Sequence, residues 1–174
     1  SDLIPRRYHR FGLDDAEMLG RLRALPRPDC VLVTSGMTYW YEGVFRAVAL
    51  AKEAFPGVPV ILGGVYARLC PEHAVRSGAD VVQDVLPDIP LVRPAMELYA
   101  EPGYAVLLTS FGCPLACDYC ASKRLFPQFV ERELSETLAD AAFQFSLHGA
   151  RDAAFYDDAL LIDKERRFYP LCEA

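Results

Sequence analysis

Cys113, Cys117 and Cys120 crowd into eight residues, although the whole 174-residue chain holds only six cysteines. In a reducing compartment such crowding points to metal ligation or redox work, whereas a secreted disulfide scaffold would carry more cysteines, more evenly placed. The segment reads Thr109-Ser110-Phe111-Gly112-Cys113-Pro114-Leu115-Ala116-Cys117-Asp118-Tyr119-Cys120, a C-x3-C-x2-C spacing. Three thiolates on so short a loop can wrap one face of a compact metal centre. Gly112 lets the backbone turn sharply, and Pro114 stiffens the bend. The common bacterial ferredoxin run uses four cysteines at other spacings, and structural zinc takes four nitrogen or sulfur ligands. No fourth Cys or His follows close to Cys120. One coordination position is therefore left open, which is where a bound metal does chemistry.

Other chemistry-bearing residues are more ambiguous. Asp157 and Asp158 form an acidic pair that can accept hydrogen bonds from an ammonium group, or serve as plain turn aspartates. Ser122, Lys123 and Arg124 follow the cysteine loop, where a cation faces either an anionic group or solvent. Tyr39, Trp40 and Tyr41 follow a strand end, where they either pack on a ligand or fill a gap beside the sheet. Cys30, Cys70 and Cys172 read as small core residues. His73 and His148 read as surface or cap residues.

These residues need elements to position them. Residues 14–25 place Met18, Leu19, Leu22 and Leu25 at helical spacing behind a capping Asp14, which predicts a short helix covering a core. The run CVLVT from Cys30 predicts a strand buried on both faces. Val44, Ala47, Val48, Ala51 and Phe55 recur as one apolar stripe, giving an amphipathic helix over residues 42–55. Pro56-Gly57 ends it, residues 58–62 form a second strand, and Gly63-Gly64 breaks that strand. A short helix starting at Pro71 and ending at Gly78 leads to a third strand, ADVV. Strand and helix alternating at these lengths predict a parallel βαβαβ unit, with ligands beyond the carboxyl ends of the strands.

Residues 84–103, with four prolines and no sustained periodicity, predict a linker that hugs the surface. Beyond it come a strand at 104–109, the cysteine loop, a helix at 133–148 with Leu134, Leu138, Ala141, Ala142 and Phe145 on one face, and a strand near 153–156. The closing segment reads as a helix interrupted by Pro170. Two parallel strands cannot close a barrel of about eight βα repeats, so the chain reads as a fragment. The expected division is a domain at 1–83, a linker at 84–103 and a second domain at 104–174.

Composition excludes several classes. Apolar residues make up 52% and charged residues 24%, so the chain can bury a core. With 18 Lys+Arg against 24 Asp+Glu the net charge is −6, and the only basic cluster is Arg6, Arg7, His9 and Arg10, which argues against nucleic acid as a main partner. No apolar run approaches the roughly 18–20 residues that span a bilayer, and no signal-peptide core is present. A cytoplasmic protein without a membrane partner is expected.

The cysteine motif, in its place after an apolar strand and with Tyr119 before the third cysteine, resembles the signature of the radical S-adenosylmethionine superfamily, C-x3-C-x-aromatic-C. The resemblance implies an α/β fold in two parts. The N-terminal part would be a Rossmann-like parallel sheet of the cobalamin-binding type, incomplete here, and the second part the start of a partial (β/α) TIM-like barrel. It implies that Cys113, Cys117 and Cys120 hold a [4Fe-4S] cluster, with S-adenosylmethionine on the fourth iron. Tyr119, Asp157 and Asp158 would contact that molecule. The cluster's electron would cleave it to a 5′-deoxyadenosyl radical that takes hydrogen from a small-molecule substrate, with flavodoxin or ferredoxin as reductant.

Residues 29–83 are similar to the cobalamin domain of one branch of that superfamily. By that likeness Ser35, Gly36, Thr38, Gly63 and Gly64 would border a cobalamin nucleotide tail, and methyl transfer becomes an expected reaction. Two other readings stand beside this one. The first is a corrinoid or small-ligand module whose cysteine loop holds a structural metal such as zinc. The second is a folded domain that has lost both cofactors.

Overall fold

Asp14 caps α1 (Asp15–Arg23) by accepting from the Glu17 N–H at 2.8 Å. In the computed structural model, which describes residues 12–84, 93–147 and 149–173, this helix covers no core, because none of its residues is buried. It lies on α2 (Tyr41–Ala54) and is tied to it by the ion pairs Arg46–Asp15 at 2.6 Å and Arg23–Glu53 at 3.2 Å. The Arg6–Arg10 cluster, His148 and the Pro87–Pro90 stretch lie outside the described residues.

The chain is mixed α/β and divides into two units, Ser1–Val85 and Leu86–Ala174. In the first, β1 (Val31–Ser35), β2 (Val60–Gly63) and β3 (Val81–Val82) form a parallel sheet in the order β1-β2-β3. Val31, Val33, Val60, Leu62 and Val82 share one face, against which α2, α3 (Gly64–Leu69) and α4 (Pro71–Ala74) pack through Val44, Val48, Ala51, Tyr66, Ala67 and Ala74. Each large apolar side chain sealed there contributes roughly 1.5–3 kcal/mol.

The other face carries Leu32, Ile61 and Val81, and no described element of this unit covers it: Leu32 is 74% exposed and Val81 47%. β1 is thus buried on one side only. Right-handed crossovers that keep advancing in one direction set their helices on a single face, and covering both faces requires the strand order to reverse. A further difference is α3, where the expected break is a full helix. Gly64 at φ 86° turns the chain straight from β2 into it.

In the second unit β4 (Tyr104–Leu107) pairs in parallel with β7 (Asp152–Phe155). Residues 93–103 of the expected linker belong to this unit: Pro102 is buried, and the Arg93 guanidinium lies 3.5 Å over the Phe143 ring. β5 (Ser110–Phe111) and β6 (Val130–Glu131), unexpected from sequence, pair antiparallel and close the base of the cysteine loop. Inside that loop lies α5 (Ser122–Leu125).

The helix α6 (Leu134–Ser146) is rotated from its expected orientation. Its buried residues are Thr137 and Gln144, whereas Leu134, Ala142 and Phe145 are exposed. The reason is a hydrogen-bond demand. The Gln144 side chain accepts from Val106 N and donates to Val106 O, both at 2.8 Å, so one amide closes the outer edge of β4 as a neighbouring strand would. The helix α7 (Lys164–Glu173) runs on through Pro170 instead of being interrupted by it. No described helix is long and apolar enough to cross a membrane.

Candidate metal centre

The cysteine loop leaves β4 through three residues held from several sides. Thr109 and Ser110 are buried, and β5 pairs Ser110 with Glu131 and Phe111 with Val130. Arg132 N donates to Thr109 O at 2.9 Å. Gly112 follows at φ 74°, where a Cβ would stand 2.5 Å from Gln128 O. No other residue fits that turn without displacing the returning strand.

Beyond Gly112 the loop opens to solvent. Cys113 is half-buried, Cys117 and Cys120 are exposed, and Tyr119 is 93% exposed. Cys120 N donates to Cys117 O at 3.1 Å, which draws two of the three cysteines into one turn. The Ser122 hydroxyl lies 3.3 Å from Cys120 Sγ, and Ser122 N donates to it at 3.4 Å. These two contacts hold the Cys120 thiol below the ordinary cysteine range, and the Asp158 carboxylate acts in the opposite direction. The Ser122 contacts thus shift Cys120 in the direction of thiolate, the ligating form.

Among the described residues no three His, Cys, Asp or Glu side chains converge to hold a metal ion. The donor set nonetheless fits a soft, sulfur-ligated centre: three free thiols on one open loop. Two of the remaining cysteines depart from expectation. Cys30 and Cys172 are exposed, and only Cys70 packs against the core.

The two aspartates after β7 part company. Asp158 is exposed and acts on Cys120. The Asp157 side chain is fully buried, and each of its oxygens accepts from the chain. Thr109 N donates to both at 3.1 and 3.0 Å, Thr109 Oγ1 donates to Oδ1 at 2.6 Å, and Ser110 Oγ donates to Oδ1 at 2.7 Å. Arg167 of α7, also buried, donates to Thr109 Oγ1 at 2.7 Å and stands 3.6 Å from Asp157. The Asp157 carboxylate is therefore fully engaged within the fold. Thr109, Ser110 and Arg167 carry no functional signal in the sequence, because a Thr-Ser pair after a strand and an arginine in a charged helix are commonplace there.

In the first unit, Ser35 Oγ donates to Met37 O at 2.8 Å, so this hydroxyl closes its own turn. A Cβ on Gly64 would collide with Thr34 Oγ1 and lie 2.8 Å from Ser35 O, so this glycine is required by the fold itself. Gly63 has no such demand, since its Cβ would meet nothing nearer than Gln83 at 3.9 Å. Gly36, Thr38 and Gly63 remain at the carboxyl ends of β1 and β2, and a Cβ on Gly36 would stand 3.8 Å from Trp40 of the exposed ring pair Tyr39–Trp40. Strand order β1-β2-β3 contains no reversal, so the crevice that such sheets use for ligands is not built by these strands alone. His73, expected at the surface, is half-buried: its Nδ1 lies 2.6 Å from Tyr66 Oη, and its ring stacks on Phe45.

Comparison with family models, with curated proteins and with solved structures finds no match to this chain.

Proposed function

We propose that this chain carries the cluster-binding part of a radical S-adenosylmethionine enzyme, on a Rossmann-like first unit and the opening βα units of a partial (β/α) barrel. The observation that carries the reading is the cysteine loop itself. It presents three thiols at C-x3-C-x2-C spacing on a loop rooted at the carboxyl end of a buried parallel strand, the end at which βα units bind their ligands. Cys113, Cys117 and Cys120 would hold a [4Fe-4S] cluster, and Tyr119 and Asp158 stand beside them at the solvent side. That cluster, when bound, supplies an electron for reductive cleavage of S-adenosylmethionine to a 5′-deoxyadenosyl radical.

The chain's own part is to keep three thiols on one rigid stem and to favour thiolate at Cys120 through Ser122. Asp158 offers a carboxylate for an ammonium group, a charge-assisted contact. A reductant of the flavodoxin or ferredoxin class and a small-molecule substrate complete the proposal. A cobalamin at the ends of β1 and β2 belongs to the same reading, with Gly36, Thr38 and Gly63 as its bordering residues and without Ser35 and Gly64, which the fold uses.

Anaerobic reconstitution with ferrous iron and sulfide tests the reading. Iron and acid-labile sulfide in equal amounts, together with 5′-deoxyadenosine formed from S-adenosylmethionine and a strong reductant, are the expected outcome. Zinc without sulfide would sink it.

A further inference from the structure

We propose that Asp157 is the positioning residue of the cysteine loop, fixing where its root leaves the sheet and hence where Cys113 stands. The inference rests on the metal-centre reading above for its cluster readout, but its geometry is independent of it. A carboxylate with no exposed surface, sitting at the end of β7, accepts from the Thr109 N–H, the Thr109 hydroxyl and the Ser110 hydroxyl. Those two residues are the last before the turn Phe111-Gly112 into Cys113.

Two features make the grip specific. The carboxylate spans two consecutive residues of one segment, so it fixes both their position and their rotation about the chain. Arg167, a buried side chain only 6% exposed, closes the other side by donating to Thr109 Oγ1 and to Ile162 O at 3.2 Å. A buried carboxylate without donors would be strongly disfavoured, so the end of β7 cannot settle unless the loop root is in place. The end of β7 and the root of the cysteine loop are in this way a single unit. Groups that orient ligands from behind typically change metal affinity by about 10–100-fold when altered.

The test uses the full 174-residue chain, handled without oxygen. Asp157→Asn keeps the side chain's size and one accepting oxygen, but sets an amide NH2 against the Thr109 N–H. Parent-like circular dichroism, cluster affinity lowered about tenfold or more, and an altered EPR signal of the reduced cluster are expected. Parent-like iron, sulfide and EPR in the folded variant overturn the proposal. If Asp157→Asn does not fold, Ser110→Ala decides, since it deletes one hydroxyl contact and leaves those from Thr109. Lowered iron supports the anchor, and parent-like iron overturns it.

A second measurement needs no cluster. In the metal-free chain, iodoacetamide should alkylate half-buried Cys113 several-fold faster in Asp157→Asn, or in Ser110→Ala if that variant is used, than in the parent, with exposed Cys30 as internal reference. An unchanged Cys113-to-Cys30 ratio overturns the anchor. A changed ratio in a chain whose parent takes up no iron and sulfide leaves the anchor standing and sinks the radical reading instead.

Discussion

Cysteine substitutions separate ligation from stability at the scale of single residues. Cys113→Ala, Cys117→Ala and Cys120→Ala are each expected to abolish iron uptake, because two thiolates hold a cubane poorly. Cys30→Ala and Cys172→Ala remove exposed thiols and should leave iron unchanged. Cys70→Ala removes a thiol that packs on the core, so it should lower stability slightly without affecting iron. Equal loss in all six, measured as iron per chain, would show that folding and not ligation governs uptake.

Asp80 gives a residue-scale prediction for pH. It accepts from Lys52 Nζ at 2.7 Å and from Val60 N at 2.8 Å, and the hydrogen bond from Lys52, followed by that from the backbone, holds its carboxyl below the ordinary carboxylate value. The folded chain thus binds this proton less readily than the unfolded chain does. The contribution is complete above the ordinary carboxylate value and is lost as pH falls through the lower, folded one. Asp80→Asn should flatten the acid limb of a stability profile measured by urea unfolding, with the parent and variant curves converging at the acid end.

Among the elements, the turn from β2 into α3 and the edge of β4 make opposite demands. Gly64→Ala places a Cβ against Thr34 and Ser35 at positive φ, and should destabilise by about 1–3 kcal/mol in denaturant unfolding. Gly63→Ala should be close to neutral for folding, since nothing stands within 3.9 Å of its Cβ. Loss of cobalamin binding by a stable Gly63→Ala chain would then report on the ligand's path, which Gly64 substitutions cannot do. Gln144→Ala leaves the Val106 N–H and C=O without their partner and should destabilise the second unit by about 1–3 kcal/mol.

The α2 stripe, the parallel strands and the cysteine-loop placement were legible because each rests on local periodicity or spacing. The rotation of α6 was not, since its buried residue is a glutamine answering an edge that exists only after the sheet forms. The β5–β6 ladder is equally non-local, joining Ser110 to Glu131 across the whole cysteine loop. Asp157 and Asp158 were legible as an acidic pair, but only the fold decides which of them turns inward.

For the molecule as a whole, the composition signalled a chain able to bury a core but not how many faces of a sheet it covers. Leu32 reads as a core residue in an apolar run, yet the unreversed strand order leaves it 74% exposed. Leu32→Lys should therefore change unfolding free energy by no more than about 0.5 kcal/mol, as a surface substitution does. A large loss in denaturant titration would mean that this face is covered in solution.

The glutamine amide at the β4 edge gives the second sheet a direction. On one margin the Val106 N–H and C=O are already taken by a side chain from its own helix, so the backbone of β7 is the freer side for a further strand. A sheet with one finished margin is a ruler with a marked zero: strands are counted from β4 outward. The loop that follows β4 then occupies the first position of that count, whatever is added beyond it.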